Sequence, residues 1–168
     1  LPFASIPDYE NWIARLNGLD TYVDQTVDLL REGMRRGVVQ PCVIMNRLPA
    51  QIARQVVSDP VASPFYAPFR KMPASIASAE QDRLRAAGAL AIEQHVLPAY
   101  LRLQAFFNEE YLPACRQSVG IWDTPGGAEW YQQRVRWFTT TDLTADQIHE
   151  LGLQEVARIR GEMQKVIE

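Results

Sequence analysis

The sequence SIASAEQDRLRAAGALAIEQHVLPAYLRLQAFFNEEYLPACR, residues 75–116, carries the longest helical pattern in the chain. At ~1.5 Å per residue, an unbroken helix of this length would extend over roughly 60 Å. Pro98 lies near its middle, where it lacks an N–H donor and its ring crowds the carbonyl of Gln94. We therefore predict that this helix is bent or divided within about one turn of residues 94–98.

Apolar side chains surround much of this predicted helix. Six residues recur near one stripe at helical spacing: Leu84, Ala87, Ala91, His95, Ala99 and Phe106. Four leucines widen the apolar surface beyond that stripe: Leu90, Leu97, Leu101 and Leu103. A helix that is apolar on several sides is usually central, so His95 is interpreted as a hydrogen-bonded core histidine and not as a ligand. The nearby Glu93 and the pair Glu109-Glu110 do not form the paired pattern of catalytic carboxylates.

Shorter helices are predicted before this central segment, over residues 7–17, 20–36 and from Pro41 onward. Pro7 and Gly18 bracket the first helix, and Gly37 ends the second. The second helix is expected to direct five side chains inward: Tyr22, Val23, Val27, Leu30 and Met34. Pro49 should break or kink the third helix. Five apolar residues nevertheless keep helical spacing there: Val43, Ile44, Leu48, Ile52 and Val56.

The pattern changes over residues 58–73, SDPVASPFYAPFRKMP, which contain four prolines and an aromatic cluster. Long loops of this kind are either functional or flexible. One interpretation is a loop that faces a substrate. The interpretation that we favour is an irregular connection pinned under the domain by Phe65, Tyr66 and Phe69.

Residues 117–127 form a turn-rich connection that ends in Pro125-Gly126-Gly127. Within it, VGIW at residues 119–122 is compatible with a short extended piece. A helix is predicted over residues 129–138, and the run Thr139-Thr140-Thr141 separates it from a final helix. Thr144 and Gln147 form a capping-box pattern at the start of that helix. Its apolar face comprises Ile148, Leu151, Val156, Ile159, Met163 and Val166.

The final helix contains a segment that begins like a zinc-peptidase motif. His149-Glu150 matches the start of His-Glu-x-x-His, in which two histidines on one helix face hold the metal. Leu153 occupies the second histidine position, so one ligand is missing. Asp146 and His149 have the i, i+3 spacing found in carboxylate-bridged metal bundles, but no matching partner set is evident. We therefore interpret His149 as a surface or capping histidine and assign no catalytic, cofactor-binding or metal-binding residue.

Composition is that of an ordinary globular domain, with 47% hydrophobic and 22% charged residues among 168. The net charge of −3 and the absence of a basic block give no indication of nucleic-acid binding, and no apolar run approaches a membrane span. No signal peptide is evident, yet the chain starts at Leu1, so localisation stays open. Cys42 and Cys115 are interpreted as two buried or partly buried thiols, although a disulfide is possible.

The predicted fold is all-α: one domain of six to eight helices over residues 1–168, with the Pro98-bent helix at its centre. No glycine or proline terminates the final helix before Glu168. We therefore expect that the chain is a fragment of a larger protein.

A family resemblance supports this expectation. The segment GAEWYQQRVRWFTTTDLTADQIHELGLQEVARIRGEM, residues 127–163, resembles part of the bacterial domain-of-unknown-function 885 family, which is grouped with gluzincin-type zinc metallopeptidases. The resemblance extends back through YLPACRQSVGIWDTPGG and, more loosely, to LREGMRRGVVQP, which ends at Pro41. The most specific part lies between Tyr131 and Gly152. The family's metal motif, His-Glu-x-x-Pro-Gly-His-His, does not occur here, so no catalytic or zinc-binding residue is carried over.

The resemblance implies the non-catalytic, N-terminal portion of a zinc-dependent hydrolase, acting as a scaffold or cleft wall. Its partner would be the missing catalytic half, and zinc is implied only for that larger protein. Self-association through the exposed apolar helix face is a further expectation. The alternative is a stand-alone helical interaction module without activity. A third possibility, a metal-binding bundle, requires His95 and His149 to converge with carboxylates.

Overall fold

The computed structural model describes residues 3–168 and is all-α, as predicted, with no β-strand among these residues. The chain divides into two compact units, residues 1–118 and 119–168. Unit 1 contains α1 (Ile6–Asn17), α2 (Leu19–Arg35), α3 (Cys42–Met45), α4 (Leu48–Ala53), α5 (Ala67–Arg70), α6 (Ser78–Ala91), α7 (Leu97–Phe106) and α8 (Leu112–Ala114). Unit 2 contains α9 (Gly127–Thr139) and α10 (Ala145–Ile167). The prediction of a single domain over residues 1–168 stays a prediction.

The central helical run is interrupted twice by π-helical turns, at Ile92–Val96 and Phe107–Tyr111. The α-helical hydrogen-bonding pattern changes at the predicted place, because the first turn directly precedes α7, in which Pro98 is the second residue. The run continues through Pro98 as helix, so a bend of its axis stays a prediction. The N–H of Leu97 donates to the carbonyl of Ile92, five residues earlier. The second turn precedes Leu112-Pro113 in the same way.

This central run supplies residues to both hydrophobic cores of unit 1. One core comprises Tyr9, Leu16, Tyr66, Phe69, Ile76, Leu84, Ala91, Ile92 and Val96. The other comprises Val23, Val27, Ile52, Ala99, Phe106, Phe107 and Tyr111. Leu90 and Leu101, in contrast, are about half exposed, so the apolar surface of the run is wider than the part that is buried.

Two expectations for the first helices need correction. Tyr22 was predicted to face inward, but it is 66% exposed, since only Val23 and Val27 of α2 lie on the buried stripe. Val43 and Ile44 are also exposed. The predicted third helix is divided into α3 and α4 at residues 46–47, so Pro49 lies in the first turn of α4, where its missing N–H is tolerated.

Residues 58–73 fold onto the first core, in agreement with the structural interpretation. They form two 3₁₀ turns, Pro60–Ala62 and Pro64–Tyr66, followed by α5. Phe69 is fully buried and lies against Tyr9 and Tyr66 with ring centroids 5.7 and 5.3 Å apart. The indole N–H of Trp12 donates to the carbonyl of Phe65 at 3.1 Å. The aromatic cluster therefore pins the loop to unit 1.

The interpretation of Cys42 and Cys115 as two free thiols is wrong. The two residues form a disulfide across a sequence separation of 73, with their Cα atoms 5.1 Å apart. A parallel backbone bridge between Pro41 and Arg116 brings them together. Their spacing in sequence could not indicate this pairing, because it depends on how α3 and α8 are placed by the packing of unit 1.

Unit 2 is a helical hairpin with little buried surface. Residues 121–123 form a 3₁₀ turn, so the short extended piece considered at VGIW does not include Ile121 and Trp122, whereas Gly120 before them is extended. Gly126 adopts a positive φ of 70° just before α9, and Thr140 ends that helix with a positive φ of 54°. The predicted capping box is confirmed at α10: the Thr144 hydroxyl accepts from the Gln147 N–H, and the Gln147 side chain accepts from the Thr144 N–H.

Candidate functional site

The most distinctive surface of unit 2 is an exposed aromatic groove between α9 and α10, here called the hairpin groove. It has a volume of about 360 Å³. Its lining residues are Trp130, Tyr131, Arg134, Val135, Phe138, Thr139, Ala145 and Ile148. The side-chain amide of Gln132 donates to the carbonyl of Leu143 at 3.0 Å and ties the connecting loop back to α9. This loop is therefore held against α9 beside the groove.

An arginine sits between two aromatic rings in this groove. The guanidinium carbon of Arg134 lies 5.6 Å from the ring centroid of Trp130 and 5.1 Å from that of Phe138. The three residues have i, i+4, i+8 spacing, which places them on one face of α9. Cation–π attraction of this kind favours a guanidinium beside aromatic rings, and Arg134 stays exposed at the surface. Among residues 3–168, no carboxylate is bonded to Arg134. The groove thus combines apolar surface with a positive charge held beside two aromatic rings.

The apolar face of α10 continues this exposed surface along the helix. No residue of α10 is buried. Five members of the predicted face are at least 45% exposed: Leu151, Val156, Ile159, Met163 and Val166. Trp137 and Phe138 on α9 are about three-quarters exposed. Large exposed apolar patches on soluble proteins often mark sites that bind a partner or a ligand.

His149 and Asp146 lie in a second shallow groove of unit 2. It is also lined by Trp122, Tyr131 and Gln132. His149 is exposed on α10, which agrees with its interpretation as a surface histidine. Leu153 is also exposed on this helix, so the face that carries His149 presents an apolar side chain at the missing ligand position.

His95 lies in unit 1, on the first π-helical turn, and is not a core residue. Its Nδ1–H donates to Oδ2 of Asp20 at 2.9 Å, so the predicted hydrogen bond is present. The two side chains are 32% and 33% exposed, which corrects the prediction of a buried position. The bond from His95, followed by the backbone N–H of Thr21, holds the pKa of the Asp20 carboxyl below its usual value.

The Asp20–His95 hydrogen bond belongs to a row of polar contacts that link α2 to the central run. Arg102 contacts both oxygens of Asp24 at 3.1 and 3.2 Å. Arg31 contacts both oxygens of Glu110 at 2.9 and 2.6 Å, and this bond lowers the pKa of the Glu110 carboxyl. The row gives His95 and Glu110 structural roles along the edge of the second core.

The described residues bring no set of metal ligands together. No group of three or more His, Cys, Asp or Glu side chains in residues 3–168 is placed to hold a metal ion. His95 and His149, which the bundle hypothesis required to converge, belong to different units. In the same part of the chain, no helix is both long and apolar enough to cross a membrane.

The apolar face of α10 is evident in the sequence, whereas the Trp130–Arg134–Phe138 cluster beside it was not predicted. The signal was present, because Trp130, Arg134 and Phe138 recur at intervals of four on a predicted helix. Such spacing usually indicates a face that packs against a core. Only the structure shows that this face stays exposed in the 168-residue chain.

Comparisons with known proteins found a similar fold and a matching family. The fold is similar to the crystal structure of a candidate lipoprotein from Colwellia psychrerythraea, with a TM-score of 0.81 and 24% sequence identity over 98% of the present chain. The present chain spans 28% of the length of that protein. A search of curated proteins gave no significant match. The family model for bacterial proteins of unknown function, DUF885, matches residues 1–168 in full. The chain therefore belongs to the DUF885 family.

Proposed function

We propose that this chain is the non-catalytic helical part of a larger hydrolase, and that it serves as a scaffold and cleft wall. The observation that carries the proposal is the exposed apolar face of α10 together with the hairpin groove. The zinc-metallopeptidase character of the larger protein rests on the sequence resemblance of residues 127–163. The similar solved protein is much longer, because this chain spans 28% of its length. This supports the proposal that the fold occurs as one part of a larger protein.

Exposed apolar area is unfavourable by roughly 25 cal/mol per Å². α10 has 23 residues and is therefore about 35 Å long, and Leu151, Ile159 and Val166 are exposed at successive positions along it. A second helix with an apolar stripe would cover such a face by side-chain interdigitation. The proposed occupant is such a helical segment of the same, longer polypeptide.

The charge of the hairpin groove defines the chemistry of that occupant further. Arg134 is oriented by Trp130 and Phe138. A planar guanidinium with free edge donors is suited to a bidentate bond with a carboxylate. The occupant is therefore an amphipathic helix that places an Asp or Glu opposite Arg134 and apolar side chains against Phe138 and Ile148.

Oxidative footprinting tests this docking without any substitution. The 168-residue chain, at a concentration low enough to keep it monomeric, and a longer polypeptide that continues beyond Glu168 are exposed to hydroxyl radicals. Oxidation of Met163 and Trp137 is then quantified by mass spectrometry. These side chains are 59% and 75% exposed in the 168-residue chain. We expect both to be protected at least several-fold in the longer protein. Trp12, which is partly buried in unit 1, provides the internal control. Equal oxidation in both proteins would contradict the proposal and favour a stand-alone interaction module.

The proposal also concerns metal and activity. We propose that residues 1–168 alone bind no stoichiometric zinc and hydrolyse no peptide, because Leu153 stands where a second histidine is needed. Metal analysis of protein purified without chelators tests this. One tightly bound zinc per chain that disappears in His149→Ala would overturn it.

A further inference from the structure

The disulfide links two short segments of unit 1 that are joined mainly by polar contacts. Cys42 opens α3, and Cys115 directly follows α8. α3 has only four residues, and its Val43 and Ile44 are more than half exposed. Cys42 is the buried residue of α3, at 8% exposure. The covalent bond therefore holds α3 where apolar packing is sparse.

Backbone hydrogen bonds connect the same two segments. The Cys42 N–H donates to the Arg116 carbonyl at 2.8 Å, and the Arg116 N–H donates to the Gln40 carbonyl at 3.2 Å. The Arg116 side chain donates to the Val39 carbonyl at 3.0 Å. The Gln40 N–H donates to the Tyr111 hydroxyl at 3.2 Å. These bonds join residues 39–42 to residues 111–116, at the carboxyl end of unit 1, and they all lie within a few residues of the disulfide.

We infer that Cys42 and Cys115 form an oxidative maturation site, whose disulfide anchors residues 111–118 to residues 38–45 and is acquired in an oxidising compartment. In this step the two thiols lose two protons and two electrons and form one S–S bond. The chemical class of oxidant is a disulfide-donating thiol oxidoreductase, whose own disulfide accepts the electrons and protons and becomes two thiols. A reducing cytoplasm opposes the step.

Two features argue against other roles for these cysteines. They are the two cysteines of the chain, and they pair with each other, so neither is left to act as a nucleophile. Within the described residues, no third ligand joins them to form a metal site. The pairing is also not adventitious, because the Pro41–Arg116 bridge holds the two backbones in register beside it.

The compartment is tested by trapping thiols in cells. The chain is expressed in a bacterium with and without an export signal, thiols are alkylated after acid quenching, and peptides containing Cys42 and Cys115 are quantified by mass spectrometry. We expect a single cross-linked peptide pair in the exported protein and two alkylated thiols in the cytoplasmic protein. Free thiols in the exported protein, or full oxidation in the cytoplasm, would overturn the inference.

The anchoring role is tested by hydrogen exchange on the purified chain. Reduction should accelerate exchange at the amides of Gln40, Cys42 and Arg116 by tenfold or more, while amides of α6 and α7 keep their protection. A Cys42→Ser/Cys115→Ser variant should show the fast pattern and no response to reductant. Reduced wild-type protein gives the same comparison if that variant fails to fold. Unchanged exchange at the three amides, or loss of protection throughout unit 1, would overturn a local anchoring role.

Discussion

At the scale of single residues, Gly88 shows how closely unit 1 is packed. A Cβ built on Gly88 would lie 2.5 Å from ring atoms of Phe69, which is fully buried. We expect Gly88→Ala to lower the free energy of unfolding by about 1–3 kcal/mol, the usual cost of overpacking a core. This cost exceeds the gain of up to about 1 kcal/mol in helix propensity. Chemical denaturation monitored by circular dichroism measures the change.

Gly18→Ala is the matched control in the same unit. A Cβ there would meet only backbone oxygens at ordinary distances of 3.7 and 3.8 Å, and Gly18 has a negative φ. The free energy of unfolding of Gly18→Ala should stay within roughly 0.5 kcal/mol of the wild-type value. If both alanine variants were equally stable, the Phe69 ring would have room that the structure does not show.

The Asp20–His95 pair predicts a pH dependence. Because the pKa of folded Asp20 lies below its unfolded value, the stabilising contribution is complete above the unfolded pKa of about 3.9. It is lost as the pH falls through the folded pKa. We therefore expect Asp20→Asn to be less stable than the wild type at pH 6 and to lose less stability on acidification. Thermal melts from pH 6 to pH 2 measure both effects.

Asp28→Asn is the control for this titration. Asp28 lies on the same helix, is highly exposed and approaches Arg31 only to 3.8 Å. Exposed pairs of this kind contribute little, so its melts should follow those of the wild type. Parallel pH profiles for wild type and Asp20→Asn would show that the His95 hydrogen bond has no effect on stability.

At the scale of elements, the two π-helical turns share one arrangement. Each is followed by a Leu-Pro pair, Leu97-Pro98 and Leu112-Pro113. A π turn contains one more residue than an α turn, and it lies where the proline removes an α-helical N–H donor. Pro98 therefore indicated where the regular α-helical pattern is interrupted, but not that the helix would continue there as a wider π turn.

Replacing Pro98 tests how the turn is held. Helix propensity alone predicts that Pro98→Ala stabilises the protein by about 3 kcal/mol. We expect stability to stay unchanged or fall by about 1 kcal/mol, because the buried Ile92, Val96 and Ala99 are packed for the π turn. A regular α-helix would rotate later residues by about 100° and move Ala99 out of the core. Urea titration of Pro98→Ala decides between the two results, and a gain near 3 kcal/mol would contradict packing control.

The capping box of α10 allows a second test at this scale. Thr144→Ala removes the hydroxyl that accepts from the Gln147 N–H at 3.2 Å. We expect a loss of about 1 kcal/mol for this helix, observed as faster hydrogen exchange over residues 145–149. Thr144→Ser keeps the hydroxyl and should retain the protection. Equal exchange in the alanine and serine variants would show that the cap is dispensable.

At the scale of the whole molecule, the exposed face of α10 predicts self-association of the isolated 168-residue chain. Apolar patches beyond a few hundred Å² rarely stay uncovered in water. Ile159→Glu or Met163→Glu should therefore shift the chain toward monomer in sedimentation velocity at high concentration. Gln164→Glu adds the same charge on another side of α10 and should leave association unchanged. A wild-type chain that is monomeric at all concentrations would contradict the prediction.

Local sequence patterns were sufficient to predict most of the helices and their caps. The α-helical class, the interruption of the α-helical pattern before Pro98, the Thr144–Gln147 cap and the apolar face of α10 follow from period, proline geometry and capping chemistry. These act between residues a few positions apart. The tertiary structure alone decided the Cys42–Cys115 pairing, the half-exposed position of His95 and the exposure of Tyr22. The pairing and the two exposures depend on which face of each helix is covered by another element. That choice is determined by contacts between side chains far apart in sequence.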